Sequence, residues 1–281
     1  MLTSMESDHI QAMAARCLVD PDFLSTIFQR VQGLPGGSPD ARDAAQLFEM
    51  ENLERIALFQ AFIVKVKHNG VRDVLPITFR LLSAAGEELA FYRDYAASYL
   101  SVRSAGPLAL ADQVDLMAEH LGRFAKRCPS PAAANLDDVL AHELQVWRLR
   151  GNEPAPGLQF VDDALSWRGR MELRRYRTDV ARACAALAAK TFDPARDLVA
   201  RGQILAYWRP PQSDTVESFE IDELTAALFS TVDGRRTLDD IAAGVAAMGL
   251  DQITRDDVEE FFDELEERGF IRSSRTAVQP G

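Results

Sequence analysis

The sequence predicts a mainly helical protein with a smaller α+β part towards its C-terminal end. Three observations predict this fold class: apolar residues at helix-like spacing through the first half, a Pro/Gly-rich stretch at Gly151–Gly157 (GNEPAPG), and strand-like segments after it. We therefore expect a helical domain over residues 1–150 and an α+β domain over residues 151–281. A chain of 281 residues is long enough for two domains of ordinary size.

Helix-forming patterns follow one another through the first domain. Ile56, Phe59, Ile63 and Val66 recur at helical offsets, and Asn69–Gly70 is predicted to end that helix, since Gly is common just past a helix end. The segments expected to be helical are Asp8–Val19, Asp22–Val31, Asp40–His68, Val71–Ala85, Glu87–Leu100, Ala109–Lys126 and Leu136–Arg150.

The second domain mixes strand and helix signals. The expected strands are Arg170–Arg177, Gln203–Arg209, Val216–Ile221 and Phe270–Arg272. A helix over Thr178–Lys190 and three later helices give the order βαββααα with a trailing strand, which is winged-helix-like. Thr237 and Thr254 are expected to be N-caps, and Gly269 is expected to end the last helix.

The charge of the chain excludes several classes of function. The net charge is −12, and residues 201–281 alone hold 17 acidic and 8 basic side chains. The helix expected over Arg255–Arg268 carries eight carboxylates against two guanidiniums, which would repel a phosphate backbone, so we expect no nucleic acid as partner. There is no run of 18 apolar residues and no secretory signal pattern, which predicts a cytoplasmic protein without a membrane segment.

Motifs for catalysis, metal binding and cofactor binding are missing. Cys17, Cys128 and Cys184 lie far apart and form no CxxC pair. His142–Glu143 lies in AHELQ, which lacks the second His of the HExxH zinc motif, and no glycine-rich phosphate loop occurs. We therefore expect no catalytic residues, no metal and no cofactor in this chain, and interpret it as a binding or partner protein.

The C-terminal region resembles a known peptide-binding domain. FEIDELTAALFSTVDGRRTLDDIAAGV (Phe219–Val245) and VEEFFDELEERGFI (Val258–Ile271) are similar to the PqqD-like recognition element of ribosomal peptide (RiPP) biosynthesis, which binds leader peptides. The resemblance implies that a leader adds as a strand beside Val216–Ile221 and packs against Asp257–Arg268. The expected peptide-binding residues are Val216, Glu217, Ser218, Phe219, Glu220, Ile221, Asp257, Glu260, Phe261 and Glu264.

Two alternatives accompany this expected site. Phe219 and Phe261 are proposed as its apolar wall, although either ring can instead belong to the core. The acidic side chains around it are expected to favour Lys and Arg in the leader. The alternative is that these side chains simply form a solvated acidic surface.

A second resemblance covers the helical part. Asn52–Tyr95, Leu136–Trp147 and Met171–Arg209 are similar to partner proteins of multinuclear non-haem iron oxidative enzymes in methanobactin-type and thiaglutamate-type peptide pathways. The resemblance implies a heterodimer in which the enzyme carries the iron. The residues expected to dock that enzyme are Arg80, Tyr92, Tyr95, Tyr99 and Trp147, with the alternative that most of them belong to the core.

Together the two resemblances imply a non-catalytic subunit that binds the leader of a precursor peptide and presents it to an iron enzyme. The expected reaction modifies a precursor cysteine, with a 3-thiaglutamate-type pathway preferred. The first alternative is a stand-alone peptide-binding scaffold that serves a different peptide-modifying enzyme. The second, a metal-dependent enzyme in its own right, requires a ligand cluster that the sequence does not contain.

Overall fold

The chain divides into two compact units, Met1–Leu140 and Ala141–Gly281, in the computed structural model. The described residues are 4–31, 50–103, 107–128, 130, 135–151, 164–247 and 253–272. They are mainly helical with a smaller sheet part, as predicted. The division falls within a helix, ten residues before the predicted domain boundary, and most of the predicted Pro/Gly linker lies outside the described residues.

The first unit is helical throughout its described part. Its helices are α1 (Ser4–Val19), α2 (Pro21–Val31), α3 (Met50–Lys67), α4 (Asn69–Val74), α5 (Pro76–Ala84), α6 (Glu88–Arg103) and α7 (Leu110–Arg127), followed by α8 (Leu136–Arg150), which crosses into the second unit. Helix α3 packs along α6 and α1. Cys17, Ile27 and Leu53 are fully buried where α1, α2 and α3 meet.

One prediction about this unit is only partly right and another is wrong. Helix α3 ends beside Asn69–Gly70 as predicted, at Lys67, but Gly70 is not its terminating residue, because α4 begins at Asn69 and contains Gly70. The single helix expected over Val71–Ala85 is two helices separated at Leu75, whose ψ of 49° is not helical. Pro76 explains the break, since a residue before proline avoids the helical region while proline itself suits the first position of a helix.

The described part of the second unit contains two antiparallel sheets and six helical segments, counting the end of α8. Its elements after α8 are β1 (Ser166–Trp167), β2 (Arg170–Tyr176), α9 (Val180–Ala189), α10 (Pro194–Asp197), β3 (Gln203–Arg209), β4 (Glu217–Ile221), α11 (Glu223–Phe229), α12 (Leu238–Ala247), α13 (Arg255–Glu267) and β5 (Ile271–Arg272). The larger sheet has the order β2-β3-β4, and β1 pairs with β5.

Most boundaries in this unit agree with the sequence, because local chemistry determines them. The bounds of β3 are confirmed, and the Thr254 hydroxyl caps α13 by accepting the Asp257 N–H. Thr237 caps α12 in the same way, and Gly269 has the left-handed φ of 81° expected after a helix. The short β1 and α10 were not predicted, since elements of two and four residues carry no periodicity.

Strand β3 is buried on both faces. On one face Ala206 lies between Leu173 of β2 and Phe219 of β4 and packs into the core beneath α11, α12 and α13. On the other face Tyr207 lies next to Tyr176, beneath the end of α8. The two faces of this small sheet therefore belong to two different layers of helix.

The Tyr207 hydroxyl is the centre of a buried polar cluster. It lies 2.7 Å from His142 Nδ1 and 2.6 Å from the Tyr176 hydroxyl, and shares a hydrogen bond with each. Burial lowers the pKa of His142 to about 4 and raises the pKa of the nearby Cys184 thiol to about 12. The His of the AHELQ segment is thus a neutral, hydrogen-bonded part of the interior.

We expect the second unit to lose stability as the pH falls because of His142. Its pKa in the folded chain, about 4, is below the ordinary value of 6.5, so the unfolded chain takes up the proton first. This contribution is complete above about pH 6.5 and is lost as the pH falls towards 4. Between about pH 7 and pH 5 the loss is about 2 kcal/mol.

Urea unfolding followed by tryptophan fluorescence measures this loss. All three tryptophans of the chain, Trp147, Trp167 and Trp208, lie in the second unit, so the signal reports that unit. The matched variant is His142→Gln, which keeps a hydrogen-bonding side chain and removes the titration. Parallel pH dependence in the wild type and the variant would contradict the assignment to His142.

Candidate functional site

Strand β4 is an edge of the larger sheet. In the described part of the chain it pairs only with β3, with Ser218 opposite Tyr207 and Phe219 opposite Ala206. In an antiparallel ladder, alternate residues of an edge strand direct their N–H and C=O groups away from the partner strand. The outer edge of β4 can therefore accept another extended chain. Val216, the first predicted residue of this segment, lies just before the strand.

A line of aromatic rings runs from β4 to α13. The Phe229 ring of α11 is buried, and its centroid lies 6.4 Å from that of Phe219 and 6.1 Å from that of Phe261. Phe219 and Phe261 are each half-buried, so both rings pack on the core and keep an exposed part. We call Phe219, Phe229 and Phe261 the aromatic strip. It brings together two predicted site residues that are 42 positions apart.

The acidic surroundings differ from the prediction at Glu220. This residue lies opposite Leu205, so its side chain is on the face of the sheet away from Phe219. Arg201 donates to its carboxylate at 2.5 Å and Gln203 donates at 3.0 Å. Glu220 is therefore not part of a charged rim beside the aromatic strip, because the two-residue repeat of a strand places it on the opposite face.

Two further carboxylates of the expected rim have local partners. Asp257 accepts hydrogen bonds from the Thr254 N–H and hydroxyl, which lower the pKa of that carboxyl. Arg268 donates to Glu264 at 2.5 Å, one helical turn away. Among the described residues, Glu217 and Glu260 are the rim carboxylates that have neither an ion pair nor a side-chain hydrogen bond.

Two of the predicted docking residues are in the core. Tyr92 and Tyr95 of α6 are both 0 % exposed. The Tyr92 ring stacks on Phe79 at 5.6 Å, and the Tyr95 ring stacks on Phe91 at 5.8 Å. The prediction that they are exposed anchors is wrong, because the apolar face of α6 that carries them packs inside the first unit.

The other predicted docking residues are at least partly accessible. Tyr99 is half-buried, with its ring 4.3 Å from that of His68. Arg80 is exposed on α5. Trp147 is half-buried and belongs to the second unit, although it was assigned to the first domain.

Helix α3 presents an apolar surface that the sequence analysis did not identify. Phe59 and Phe62 are each 52 % exposed, with rings stacked at 6.5 Å, while Leu53, Ala57 and Ala61 form the buried side. The exposed set, which we call the α3 surface, is Leu58, Phe59, Phe62 and Val66. The sequence did contain a signal for this surface, because α3 carries two apolar stripes. A single neighbouring layer of helices can cover only one of them.

The described residues hold no group of three or more His, Cys, Asp or Glu side chains placed to bind a metal ion. In the same residues, no helix is long and apolar enough to cross a membrane. Cys17, Cys128 and Cys184 are all free thiols.

The comparisons with known proteins assign no family to the chain. No protein-family model matches it, and no curated protein matches it either. The open edge of β4, the aromatic strip and the α3 surface are therefore the features on which a function can rest.

Proposed function

We propose that this chain is a non-catalytic subunit that binds the leader of a ribosomally made precursor peptide and presents it to a multinuclear non-haem iron oxidative enzyme. The observation that carries the proposal is the open edge of β4 beside the aromatic strip. An extended peptide added to such an edge gains main-chain hydrogen bonds, and apolar contacts with alternate side chains set its register. Phe219 and Phe261 provide those contacts.

The order of elements supports a PqqD-like assignment of the second unit. Strands β2, β3 and β4 precede α11, α12 and α13, and the short β5 closes the run. This is the order that the resemblance implies, with β4 and α13 as the two elements that hold the leader. The acidic α13 surface argues against the nucleic-acid binding of other winged helices, since Arg255 and Arg268 are both paired with carboxylates.

The α3 surface is the proposed contact for the enzyme. Monomeric proteins rarely expose several large apolar side chains side by side, and such a patch is typical of a protein interface. Phenylalanine is one of the residues enriched at interface centres. A subunit that holds both partners raises the effective concentration of the peptide at the enzyme to the order of mM. The proposed reaction modifies a precursor cysteine in a 3-thiaglutamate-type pathway.

A different peptide-modifying enzyme in place of the iron oxidase is the second candidate, and it rests on the same β4 edge. Purification of the tagged chain from its native cell separates the two. We expect a ribosomally made peptide, identified by mass spectrometry, and an iron protein, identified by elemental analysis. A peptide with an iron-free enzyme supports the second candidate. Stoichiometric iron in the chain alone would instead indicate a metal-dependent enzyme.

Ser218→Pro is expected to weaken binding of the labelled precursor leader by about 1–3 kcal/mol, because proline removes a donor and distorts the edge. The matched control is Arg174→Pro, which places proline in β2, the opposite edge of the same sheet. Phe261→Ala tests the aromatic strip separately. Fluorescence anisotropy measures the affinities. Equal affinity in folded Ser218→Pro and wild type would place the peptide elsewhere.

Leader association is expected to slow as salt concentration rises, since Glu217 and Glu260 attract a basic leader over a distance that salt screens. The variant Glu217→Gln/Glu260→Gln should associate more slowly and with less dependence on salt. Glu220→Gln removes the same kind of charge from the opposite face and should leave the rate unchanged. Stopped-flow fluorescence measures the rates, and an equal slowing by Glu220→Gln would contradict the assigned faces.

Phe59→Ser/Phe62→Ser is expected to release the iron enzyme during purification while the peptide remains bound. Both side chains are half-exposed, so their loss removes interface area with little effect on folding. The control is Leu89→Ser, an exposed apolar residue on α6 of the same unit. Retention of the enzyme by the double variant, with circular dichroism unchanged, would exclude the α3 surface as the dock.

A further inference from the structure

A cleft of about 670 Å³ lies in the second unit, and none of its described lining residues belongs to β4. It is formed by the turn between β1 and β2, by the residues after β3 and by β5. Arginines dominate its lining: Arg168, Arg170, Arg209 and Arg272, with Trp167 and Pro211 as apolar neighbours. Its described lining includes no acidic residue.

Gly169 allows these arginines to come together. A Cβ atom at this position would lie 2.1 Å from the carbonyl oxygen of Arg209, so any other residue would push the β1–β2 turn away from the end of β3. The close approach places Arg168 and Arg170 beside Arg209. Pairing of β1 with β5 sets Arg272 opposite Ser166 and adds the fourth guanidinium.

Arg209 is a largely covered cation that neutral groups hold in place. Its side chain is 13 % exposed, and it donates to the carbonyl oxygens of Ser213 at 2.6 Å, Leu149 at 2.9 Å and Gly151 at 2.9 Å. Its carboxylate neighbour, Asp214, is 98 % exposed and lies 3.8 Å from Nη2, beyond hydrogen-bond distance. The three carbonyl oxygens therefore fix the position of the Arg209 guanidinium. They carry no net charge, so its positive charge is left largely uncompensated.

Arg168 and Arg170 are also poorly neutralised. Arg168 is exposed and has no side-chain partner in the described part of the chain. Arg170 donates to Glu172 at 3.4 Å, and that carboxylate also accepts from Gln145. Arg168, Arg170 and Arg209 thus have two carboxylates within reach in the described part of the chain: Glu172 lies 3.4 Å from Arg170, and the exposed Asp214 lies 3.8 Å from Arg209. This arrangement occurs although residues 201–281 of the chain have a net charge of −9.

We propose that this cleft binds an anionic ligand through carboxylate or phosphate oxygens, with Arg168, Arg170 and Arg209 as the donors. Guanidinium groups match the oxygens of both anions with paired, charge-assisted hydrogen bonds. The volume lies within the range of about 300–1,000 Å³ that small-molecule sites occupy. The proposal does not depend on leader binding, because none of its residues lies on β4 or α13.

Binding of two probes to the full chain tests the proposal. The probes are pyrophosphate and a tri-glutamate peptide, and titration calorimetry gives the affinities while Trp167 in the lining provides a fluorescence signal. We expect saturable binding of at least one probe, and a loss of about tenfold in affinity in Arg168→Gln. The matched control is Arg235→Gln, which removes one exposed charge elsewhere in the same unit and should bind as the wild type does.

The two probes also identify the source of the anion. Binding of pyrophosphate alone assigns the cleft to a phosphorylated ligand, and binding of the peptide alone assigns it to peptide carboxylates. No saturable binding of either probe, or equal affinity in wild type and Arg168→Gln, would overturn the proposal. Ser218→Pro should leave probe binding unchanged, so a failure of leader binding and a failure of the cleft are distinguishable.

Discussion

The burial of β3 on both faces is the constraint on which the second unit depends. Successive side chains of a strand point to opposite faces of its sheet. Because both faces of this sheet are covered at β3, successive side chains of β2 and β4 also enter different layers. Phe219 therefore reaches the α11–α13 core, whereas Glu220 reaches Arg201 on the other side. Strand β4 is an edge for a separate reason: in the described residues, the sheet has one strand on each side of β3.

A buried tyrosine hydroxyl in the middle of that strand needs partners, and it has two. His142 and Tyr176 satisfy Tyr207 in an interior where an unmade hydrogen bond costs about 1–3 kcal/mol. The cluster is poorly suited to acid–base chemistry near neutral pH, because burial holds the pKa of His142 at about 4 and that of Cys184 at about 12.

The parts of the fold that depend on neighbouring residues could be predicted from the sequence. The bounds of α8 and β3 and the caps at Thr254 and Gly269 depend on residues within one turn, and they are confirmed. The choice between apolar faces depends on the neighbouring layer. For that reason Tyr92 is buried although it was expected to be exposed. Phe59 belongs to the apolar stripe from which the helix was predicted, yet its side chain is exposed. The break at Leu75 was overlooked because Pro76 also fits the first turn of a helix.

The composition of the second unit does not predict where its charged side chains can bind a partner. The acidic excess of residues 201–281 indicates an acidic surface, yet three of its carboxylates have partners within the unit. Asp257 takes part in a helix cap, Glu220 accepts from Arg201, and Glu264 pairs with Arg268 one helical turn away. The arginine cleft has no sequence signature, because β1–β5 pairing and the close contact at Gly169 bring together residues from 168 to 272. One unit can thus present an acidic surface to a basic peptide and a basic cleft to an anion, and added salt should weaken binding at both.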